Sequence, residues 1–115
     1  MHDPQCLFCR IVKGEIPAKK LYEDEAVLAF ADIKPQAPVH VLVIPKEHIS
    51  TVADVTPSQN PLLGRLILAA NRIASDQGLD SGYRLVVNCR GDAGQEVYHL
   101  HLHLLGGRKF SWPPG

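Results

Sequence analysis

An α+β fold is predicted for this chain, with a mainly antiparallel sheet of five strands, one long helix and a short N-terminal helix. Two observations predict it. Short β-branched or alternating segments follow one another across short turns, and a single long amphipathic segment interrupts them near the middle. Such an order favours antiparallel strands with a helix packed on the sheet. With 115 residues, the chain is expected to form one domain over residues 1–115.

The elements follow from local signals along the chain. A short helix is expected around Leu7–Lys13, where Gly14 ends it. The five strands, of which the first two form a hairpin, are expected at Lys20–Asp24, Val27–Ile33, Val39–Ile44, Tyr83–Cys89 and Tyr98–Leu105. Residues 35–38 predict a rigid turn, and the Trp112-Pro113-Pro114-Gly115 tail is expected to be irregular because prolines exclude regular structure.

The long helix is predicted between Asn60 and Gly78. Asn60 can cap it, Pro61 suits its first turn, and Gly78 suits its C-terminal stop. An apolar stripe at helical spacing is expected to pack on the sheet and consists of Leu62, Leu63, Leu66, Ile67, Ala70, Ile73 and Ala74.

Charge and hydropathy disfavour several classes of function. The 12 Lys and Arg residues cancel the 12 Asp and Glu residues, so no bulk field favours nucleic acid or an anionic membrane. The N-terminus has no apolar run typical of a signal peptide, and the longest apolar stretches are too short to span a bilayer. A cytoplasmic protein is therefore expected, in which Cys6-x-x-Cys9 indicates reduced thiols or metal ligands.

Three histidines alternate with leucines in the run His99-Leu100-His101-Leu102-His103-Leu104-Leu105. In a strand, a period of two places all three imidazoles on one face and the leucines on the other. The leucine face can pack against the long helix, and the imidazole face must then line a cavity or open to water. Clusters of titratable groups concentrate at functional sites.

Three interpretations of the imidazole face are open. The rings could be solvated or hydrogen-bonded structural histidines, which is the usual role of a single histidine. His-x-His on a strand also suits zinc, although no acidic residue is obviously placed to complete or orient such a site. The third interpretation is nucleophilic catalysis, because neutral imidazole attacks phosphorus near neutral pH and flanking imidazoles can donate to phosphoryl oxygens.

The run resembles the His-φ-His-φ-His-φ-φ signature of the histidine triad superfamily, in which φ is apolar. From about Leu7 to Gly115, the chain also resembles the nucleotide-binding branch of that superfamily. The segments that carry this resemblance are Gly14-Glu15-Ile16-Pro17-Ala18-Lys19, Ala29–Pro38, Val43-Ile44-Pro45-Lys46, His48-Ile49-Ser50, Gly82-Tyr83-Arg84, Leu105-Gly106-Gly107-Arg108 and Trp112-Pro113-Pro114-Gly115.

The resemblance implies catalytic roles for four histidines. His101 would attack the α-phosphorus, supported by the outlying His40 and flanked by His99 and His103, of which His103 lies nearest the phosphate and leaving group. A nucleotidyl-His101 intermediate would form with loss of an amine, and water would then release the monophosphate. This chemistry needs mainly positioning and charge stabilisation, so no cofactor is expected to take part in it.

The resemblance also implies a nucleotide pocket. Asn88 corresponds to an amide near the phosphate, and Gly94-Gln95 begins the turn around it, followed by Glu96 and Val97. Asp32 corresponds to a carboxylate that accepts from the ribose hydroxyls, although by default it is a turn residue at a strand end. The base would lie among residues whose commoner role is plain core, namely Phe8, Ile11, Ile16, Phe30, Ile33 and Leu42.

Members of this branch are homodimers with joined sheets, which makes Trp112 a candidate contact for the leaving group in the partner's site.

Glu96 departs from the branch, whose well-known members carry a small hydroxyl residue there. An ionised carboxylate would repel phosphate unless it points away, is protonated or meets a cation. The hypothesis is that Glu96 favours positively charged amine leaving groups, such as a lysyl side chain.

Some histidine triad proteins use a Cys-x-x-Cys pair with two histidines to hold a structural zinc. The matching residues are Cys6, Cys9, His48 and His99, which would form a closed tetrahedral site. The alternative is a pair of reduced, half-buried thiols. As a ligand, His99 would also anchor the catalytic strand. Cys89 is expected to be a small core residue.

The sequence therefore predicts a homodimeric purine nucleoside phosphoramidate hydrolase with a structural zinc and with neither nucleic acid nor membrane as partner. One alternative is a dinucleoside polyphosphate hydrolase, which the Trp-Pro-Pro-Gly ending disfavours. Another is a nucleotide-binding or scaffold protein with little turnover, which would not require four histidines. A DNA-repair deadenylase is disfavoured because no basic patch is present.

Overall fold

The centre of the protein is a five-stranded sheet in which every neighbouring pair is antiparallel. A computed structural model describes residues 3–115, so His2 lies outside the described residues. The strands are β1 (Lys20–Glu23), β2 (Val27–Ala31), β3 (Val39–Pro45), β4 (Tyr83–Val86) and β5 (Leu102–Gly106), and their spatial order is β1-β2-β3-β5-β4. The predicted antiparallel five-stranded sheet is confirmed.

Within residues 3–115, the sheet is accompanied by the helices α1 (Leu7–Val12), α2 (Asn60–Asp76) and the single turn α3 (Arg90–Ala93). Two 3₁₀ turns, Val52–Asp54 and Pro57–Gln59, lead into α2. The short N-terminal helix and the long helix are confirmed, whereas α3 is an element that the sequence did not predict. Within residues 3–115, no helix is both long enough and apolar enough to cross a membrane.

Helix α2 and helix α1 cover opposite faces of the sheet. In β2, Val27 and Ala29 belong to the apolar cluster that contains the buried side of α2, whereas Leu28 and Phe30 belong to the cluster that contains α1. Strand β3 alternates in the same way. Because the central strands are buried on both sides, they are nearly continuous apolar runs in the sequence. The α1 face is the one that carries the histidines.

The last strand is shorter than predicted, because its pairing with β3 begins at Leu102 rather than at Tyr98. Leu102 pairs with Val43, and two residues further along β3 lies Pro45, which has no N–H with which to continue the ladder. The Pro45 carbonyl instead accepts from Nε2 of His99 at 2.8 Å. Leu100 leaves the ladder as well, and its N–H donates to the Ile49 carbonyl at 2.6 Å.

The predicted alternation nevertheless continues through this segment. Leu100, Leu102 and Leu104 all lie in the apolar cluster under α2. On the other face, the Phe8 ring of α1 contacts both His99 and His101. The prediction that leucines and imidazoles occupy opposite faces is therefore confirmed.

Several boundaries differ from the predictions. Strand β2 ends at Ala31 rather than Ile33, since the Asp32 carboxylate accepts from the N–H of Lys34 and begins a turn. Strand β4 ends at Val86 rather than Cys89, ahead of α3. Asn60 is the first residue of α2 and not its cap. A capping box between Thr56 and Gln59 caps the preceding 3₁₀ turn instead.

The apolar side of α2 is also displaced slightly from the predicted stripe. Ile67 is 42% exposed, and Ala69 is buried in its place. Leu62 and Leu63 are partly buried against the core. The helix therefore packs on the sheet with its buried residues Leu66, Ala69, Ala70, Ile73 and Ala74.

Candidate active site and metal cluster

Three imidazole rings meet on the α1 face of the sheet, where β3 and β5 pair. The ring centroids of His40 and His103 are 5.2 Å apart, and those of His101 and His103 are 5.0 Å apart. His40 and His101 are each only 7% exposed. The predicted catalytic histidines His40, His101 and His103 are thus brought together.

A main-chain donor determines which ring nitrogen of neutral His40 carries the proton and, through His40, which nitrogen of His103 does. The N–H of Gln36 donates to Nδ1 of His40 at 3.0 Å, so a neutral His40 carries its proton on Nε2. This Nε2 lies 2.9 Å from Nδ1 of His103 and 3.4 Å from Oδ2 of Asp32. When His40 donates to His103, the proton of the neutral His103 ring lies on its Nε2.

A main-chain acceptor sets the opposite tautomer for neutral His101, with the proton on Nδ1 rather than on Nε2. Nδ1 of His101 lies 2.7 Å from the carbonyl oxygen of His99, which can only accept. A neutral His101 therefore carries its proton on Nδ1 and a lone pair on Nε2. Within residues 3–115, neither Nε2 of His101 nor Nε2 of His103 has a hydrogen-bond partner.

Burial keeps the rings around His101 neutral. It lowers the pKa of His103 to about 4, with smaller contributions in the same direction from His101 and His40. Burial also lowers the pKa of His40, although the nearby Asp32 carboxylate opposes that shift. Burial thus favours the neutral form of His40 and His103.

The residues expected around phosphate and ribose lie at the ends of the paired strands. Asp32 follows β2, and its other oxygen, Oδ1, accepts from Lys34. Asn88 lies between β4 and α3 and is half-buried, and its side-chain amide has no hydrogen-bond partner within residues 3–115. Gly94 ends α3 with a φ of 84°, a conformation that favours glycine.

Gln95 is buried, and its side chain holds the loop together rather than facing outward. Its amide nitrogen donates to the carbonyls of Ser50 and Val97, and its oxygen accepts from the N–H of Arg90. The sequence places Gln95 at the start of a turn, and the structure shows that its side chain shapes this turn. The main-chain N–H of Gln95 is used as well, since it donates to the Arg90 carbonyl at 3.1 Å.

Most residues expected around the base form one apolar cluster beside His101. Phe8, Ile11, Phe30 and Leu42 are buried in this cluster, and Ile16 and Val97 pack against it. The Phe8 ring meets the His101 ring edge-on, with centroids 5.3 Å apart. Two of the expected ligand contacts lie on the surface instead, since Ile33 is 93% exposed and Trp112 is 82% exposed.

Glu96 is exposed and lines a shallow depression together with Asp3, Gln5, Cys6, Leu7, Val97 and Tyr98. No Lys or Arg lies among these lining residues. Asp3 and Glu96 therefore make the depression acidic. The Glu96 carboxylate therefore lies on the surface, and no Lys or Arg that lines the depression neutralises its charge.

A second cluster lies next to the three rings and consists of Cys6, Cys9, His48 and His99. One ligand atom from each residue lies within 4.8 Å of all the others. Cys6 precedes α1 and Cys9 lies in it, whereas His48 and His99 come from the segments after β3 and before β5. His99 is fully buried, and burial raises the pKa of the Cys6 thiol above its ordinary value.

The separations in this cluster fit tetrahedral coordination. Zinc bonds of about 2.0 Å to nitrogen and about 2.3 Å to sulfur imply ligand atoms about 3.3–3.8 Å apart. Nδ1 of His99 lies 3.3 Å from Sγ of Cys6, 3.6 Å from Sγ of Cys9 and 3.2 Å from Nδ1 of His48. Since Nε2 of His99 donates to the Pro45 carbonyl, its Nδ1 presents a lone pair to the cluster. The four residues expected from the sequence fit a zinc ion.

Sequence reasoning missed the main-chain groups that orient these rings. Gln36 was seen only as part of a rigid turn, and Pro45 only as part of a matching segment, yet the N–H of one and the carbonyl of the other each bond a histidine ring. Main-chain groups are present at every residue, so no residue type could have signalled them. Asp3 was also missed, and its carboxylate lies 4.0 Å from Nε2 of His48.

Comparison with known proteins agrees with this geometry. The HIT domain family matches residues 13–110. The chain belongs to the HIT family. A HIT family hydrolase from Legionella pneumophila has a crystal structure similar to this one, with a TM-score of 0.95 and 54% identity over 96% of this chain and 100% of that chain. The α+β architecture is therefore that of the HIT fold.

Two curated relatives cover almost the same length. An uncharacterized HIT-like protein of Synechocystis is 52% identical over 109 residues, which are 95% of this chain and 96% of the relative. A 14 kDa zinc-binding protein of Zea mays is 46% identical over 117 residues, which cover 100% of this chain and 91% of the relative. The similarity thus extends beyond the histidine run to nearly the whole chain.

The burial of His103 leads to a prediction about acid stability. The pKa of His103 is about 4 in the folded protein, whereas a histidine in an unfolded chain ionises near 6.5. Between these values the unfolded state binds more protons, so the free energy of unfolding is expected to fall as pH drops through this window. The slope from this residue is up to about 1.4 kcal/mol per pH unit.

Urea denaturation of wild type and His103→Gln between about pH 7 and about pH 4 measures this effect. The variant is expected to lose less stability over that range, because one depressed histidine pKa has been removed. Equal slopes in the two proteins would contradict the prediction.

Proposed function

We propose that this protein hydrolyses purine nucleoside phosphoramidates and belongs to the nucleotide-binding branch of the histidine triad superfamily. The observation that carries the proposal is the arrangement of His101, whose Nδ1 faces the His99 carbonyl and whose Nε2 has no hydrogen-bond partner within residues 3–115. An oriented neutral imidazole of this kind is suited to attack on phosphorus. Similarity to a HIT family hydrolase of Legionella supports a hydrolytic reaction.

In the first step, Nε2 of His101 forms a bond to the α-phosphorus of the nucleotide conjugate. The bond from phosphorus to the amine nitrogen breaks, and its electron pair leaves with the amine, which takes up a proton from solvent. The Nε2–H of His103 lies on the neighbouring ring and can donate to a phosphoryl oxygen or to the departing nitrogen. The Nδ1–H of His101 keeps its bond to the His99 carbonyl as positive charge develops on the ring.

In the second step, water attacks the nucleotidyl-His101 intermediate. A new bond to oxygen forms, the bond from phosphorus to Nε2 breaks, and the proton of the water passes to solvent. The nucleoside monophosphate, AMP or GMP, is released, and His101 returns to its neutral form. Because the reaction is divided into two displacements at phosphorus, the protein needs to supply mainly the positioning of the reacting groups and hydrogen bonds to them.

The proposed anion site contains few cations. Depressed pKa values keep His40 and His103 neutral, so phosphate would be held by neutral donors at short range. The side-chain amide of Asn88, which has no partner within residues 3–115, supports a role as one of these donors. The balanced net charge of the chain agrees with recognition by local groups.

The rest of the nucleotide would lie along the α1 face. The Asp32 carboxylate, at the end of β2, would accept from the ribose hydroxyls, and its contact with His40 would connect ribose binding to the imidazole network. The apolar cluster around Phe8 and Phe30 would provide the wall of the base pocket. Exposed Ile33 would cover the base from the solvent side.

Two other functions remain as alternatives, and they make different predictions. A dinucleoside polyphosphate hydrolase would cleave a P–O–P bond through the same histidine. A nucleotide-binding or scaffold protein would bind AMP without forming an intermediate. The arrangement of tautomers around His101 favours turnover, because binding alone does not require an unprotonated Nε2.

The first prediction of the proposal is a covalent adduct. Wild type mixed with an adenosine phosphoramidate and quenched rapidly in base is expected to carry one adenylyl group on His101, detected by mass spectrometry of peptides. His101→Ala is expected to show no adduct and to lose at least about 10³-fold in turnover, since the nucleophile is absent.

A dinucleoside polyphosphate is the matched second substrate for this experiment. Faster turnover of that compound would favour the first alternative, and tight AMP binding without an adduct in wild type would favour the second. His103→Phe serves as a comparison that removes the neighbouring donor but leaves the nucleophile in place.

The acidic depression leads to a prediction about the leaving group. We propose that Glu96 favours amines that carry a second positive charge, such as a lysyl side chain, because no Lys or Arg neutralises its carboxylate in that depression. Glu96→Ser is expected to lower the ratio of turnover for a lysyl over an uncharged amine conjugate about three- to tenfold, in the range of a screened charge pair. Unchanged ratios would disprove the assignment.

We further propose that Cys6, Cys9, His48 and His99 hold a structural zinc. The Nδ1 and Sγ separations of 3.2–3.6 Å support this, as does similarity to a zinc-binding protein of Zea mays. When bound, zinc supplies a crosslink between α1 and the segments that carry His48 and His99. A site with four protein ligands leaves no open position for substrate, so its role is structural.

Metal analysis tests this assignment. Purified wild type is expected to contain about one equivalent of zinc per chain, and Cys9→Ser much less, while Cys89→Ser, which removes the thiol outside the cluster, is expected to retain it. Less than about half an equivalent in carefully purified wild type would argue against a structural zinc.

We propose a homodimer joined through the β4 edge. The other edge strand, β1, carries charged residues such as Lys20 and Glu23, which discourage pairing. Next to β4, Leu68 of α2 is 68% exposed and Tyr83 is 39% exposed, and the Tyr83 hydroxyl donates to Asn71 on the same side of α2. A second copy that pairs with β4 would cover this apolar surface.

Sedimentation velocity measures the assembly state. Wild type is expected to sediment as a dimer, and Leu68→Glu is expected to weaken dimerisation at least about tenfold, because it buries a charge in the contact. Leu7→Glu changes an apolar residue on α1, away from β4, and is the matched control. A monomeric wild type would exclude the joined sheet.

A further inference from the structure

His99 connects the metal cluster to the nucleophile. Its Nδ1 lies within 3.6 Å of ligand atoms from the three other members of the cluster. Its main-chain carbonyl accepts from Nδ1 of His101 at 2.7 Å. The same residue therefore contributes to both centres, through its side chain in one and its main chain in the other.

The segment that carries His101 lies outside the regular sheet. Pairing of β5 with β3 begins only at Leu102, and the preceding anchor on the main chain is the bond from Leu100 to Ile49. The His99 carbonyl belongs to the same peptide unit as the Leu100 N–H, so its position depends both on the bond to Ile49, the residue after His48, and on how the His99 side chain is held. That side chain is held by the Pro45 carbonyl at Nε2 and by the cluster at Nδ1.

Helix α1 provides a second connection between the two centres. Cys6 and Cys9 flank Phe8 in the sequence, and Phe8 is 4% exposed. Its ring contacts His99 with centroids 5.9 Å apart and His101 with centroids 5.3 Å apart. Movement of either cysteine would therefore shift a ring that packs directly against the nucleophile.

We propose that the Cys6–Cys9–His48–His99 cluster is a positioning element of the catalytic site, with His99 as the positioning residue that holds His101 with Nε2 unprotonated. When the four ligand atoms are drawn together by a divalent cation, the His99 carbonyl is fixed and accepts from Nδ1 of His101. When they separate, this peptide is held by the Leu100–Ile49 bond without the support of the His99 side chain at Nδ1, and the His101 ring can rotate or exchange its proton between nitrogens.

The proposal has a reciprocal consequence for ligand binding. A nucleotide that engages His101 in this tautomer favours the ordered cluster, and by linkage the ordered cluster favours the nucleotide by the same factor. This consequence rests on the proposed function, whereas the effect on the His101 ring does not depend on any substrate. The two effects are therefore measured separately.

The first experiment observes the His101 ring by ¹⁵N–¹H NMR of the imidazole nitrogens, assigned by comparison with His101→Ala. In zinc-loaded protein, His101 is expected to show a protonated Nδ1 and an unprotonated Nε2. After chelation, the same ring is expected to show averaged shifts from two tautomers. Amide exchange in β2 and β3 verifies that the chelated protein is folded. Identical His101 shifts with and without zinc would overturn the proposal.

The second experiment measures coupling between zinc and AMP. The zinc affinity, measured at equilibrium by competition with a chromophoric chelator, is expected to rise at least about fivefold with saturating AMP, and metal-free protein is expected to bind AMP more weakly by the same factor. Cys89→Ser is the matched control and is expected to behave like wild type. Equal zinc affinities with and without AMP, in protein that binds AMP, would overturn the coupling.

The two experiments separate failure of the proposal from failure of the proposed function. If neither form binds AMP, the nucleotide function is wrong, and the NMR result alone decides whether the cluster positions His101. If AMP binds but the His101 ring does not respond to zinc, the nucleotide function is retained and the positioning role is disproved.

Discussion

The chemistry of the site depends on one hydrogen bond, between Nδ1 of His101 and the carbonyl oxygen of His99. A carbonyl can only accept, so this bond places the proton on Nδ1 and the lone pair on Nε2. Two other rings are set by the same principle, since the N–H of Gln36 can only donate to His40 and the Pro45 carbonyl can only accept from His99. The tautomer that each of these rings adopts when neutral is therefore set by the fold.

The sheet explains why main-chain groups are available at those positions. Inside β3 and β5, carbonyls and N–H groups are used by the ladder, whose last pair is Val43 with Leu102. Pro45, two residues further along β3, has no N–H with which to extend the ladder, and its carbonyl receives Nε2 of the His99 side chain. Before Leu102, the His99 carbonyl receives Nδ1 of His101. The end of the ladder thus leaves main-chain carbonyls that orient two imidazole rings. Apolar clusters cover both faces of the sheet.

The sequence predicts more of the fold than of the site's internal geometry. Alternation of His99, His101 and His103 with leucines correctly separates the two faces, because a period of two persists even where extended backbone is unpaired. The end of the ladder at Pro45 depends on register, which local patterns do not contain. The meeting of Cys6 with His99 joins residues 93 positions apart, and only resemblance to other proteins could suggest it. Ile67 and Ala69 differ from the prediction because small shifts in helix rotation decide which residues are buried.

Two groups of histidines in this structure have ligand-like spacing, yet their hydrogen bonds indicate different roles. In the group of Asp32, His40 and His103, donors and acceptors alternate: Gln36 donates to His40, and His40 can donate onward to His103 or to the carboxylate. A cation there would have to displace a proton from Nε2 of His40 and break that chain. In the cysteine cluster, the His99 lone pair and two buried sulfur atoms converge instead, an arrangement that a positive charge stabilises. The same residue type therefore suits proton placement in one group and cation binding in the other, and the main-chain partners of His40 and His99 account for the difference.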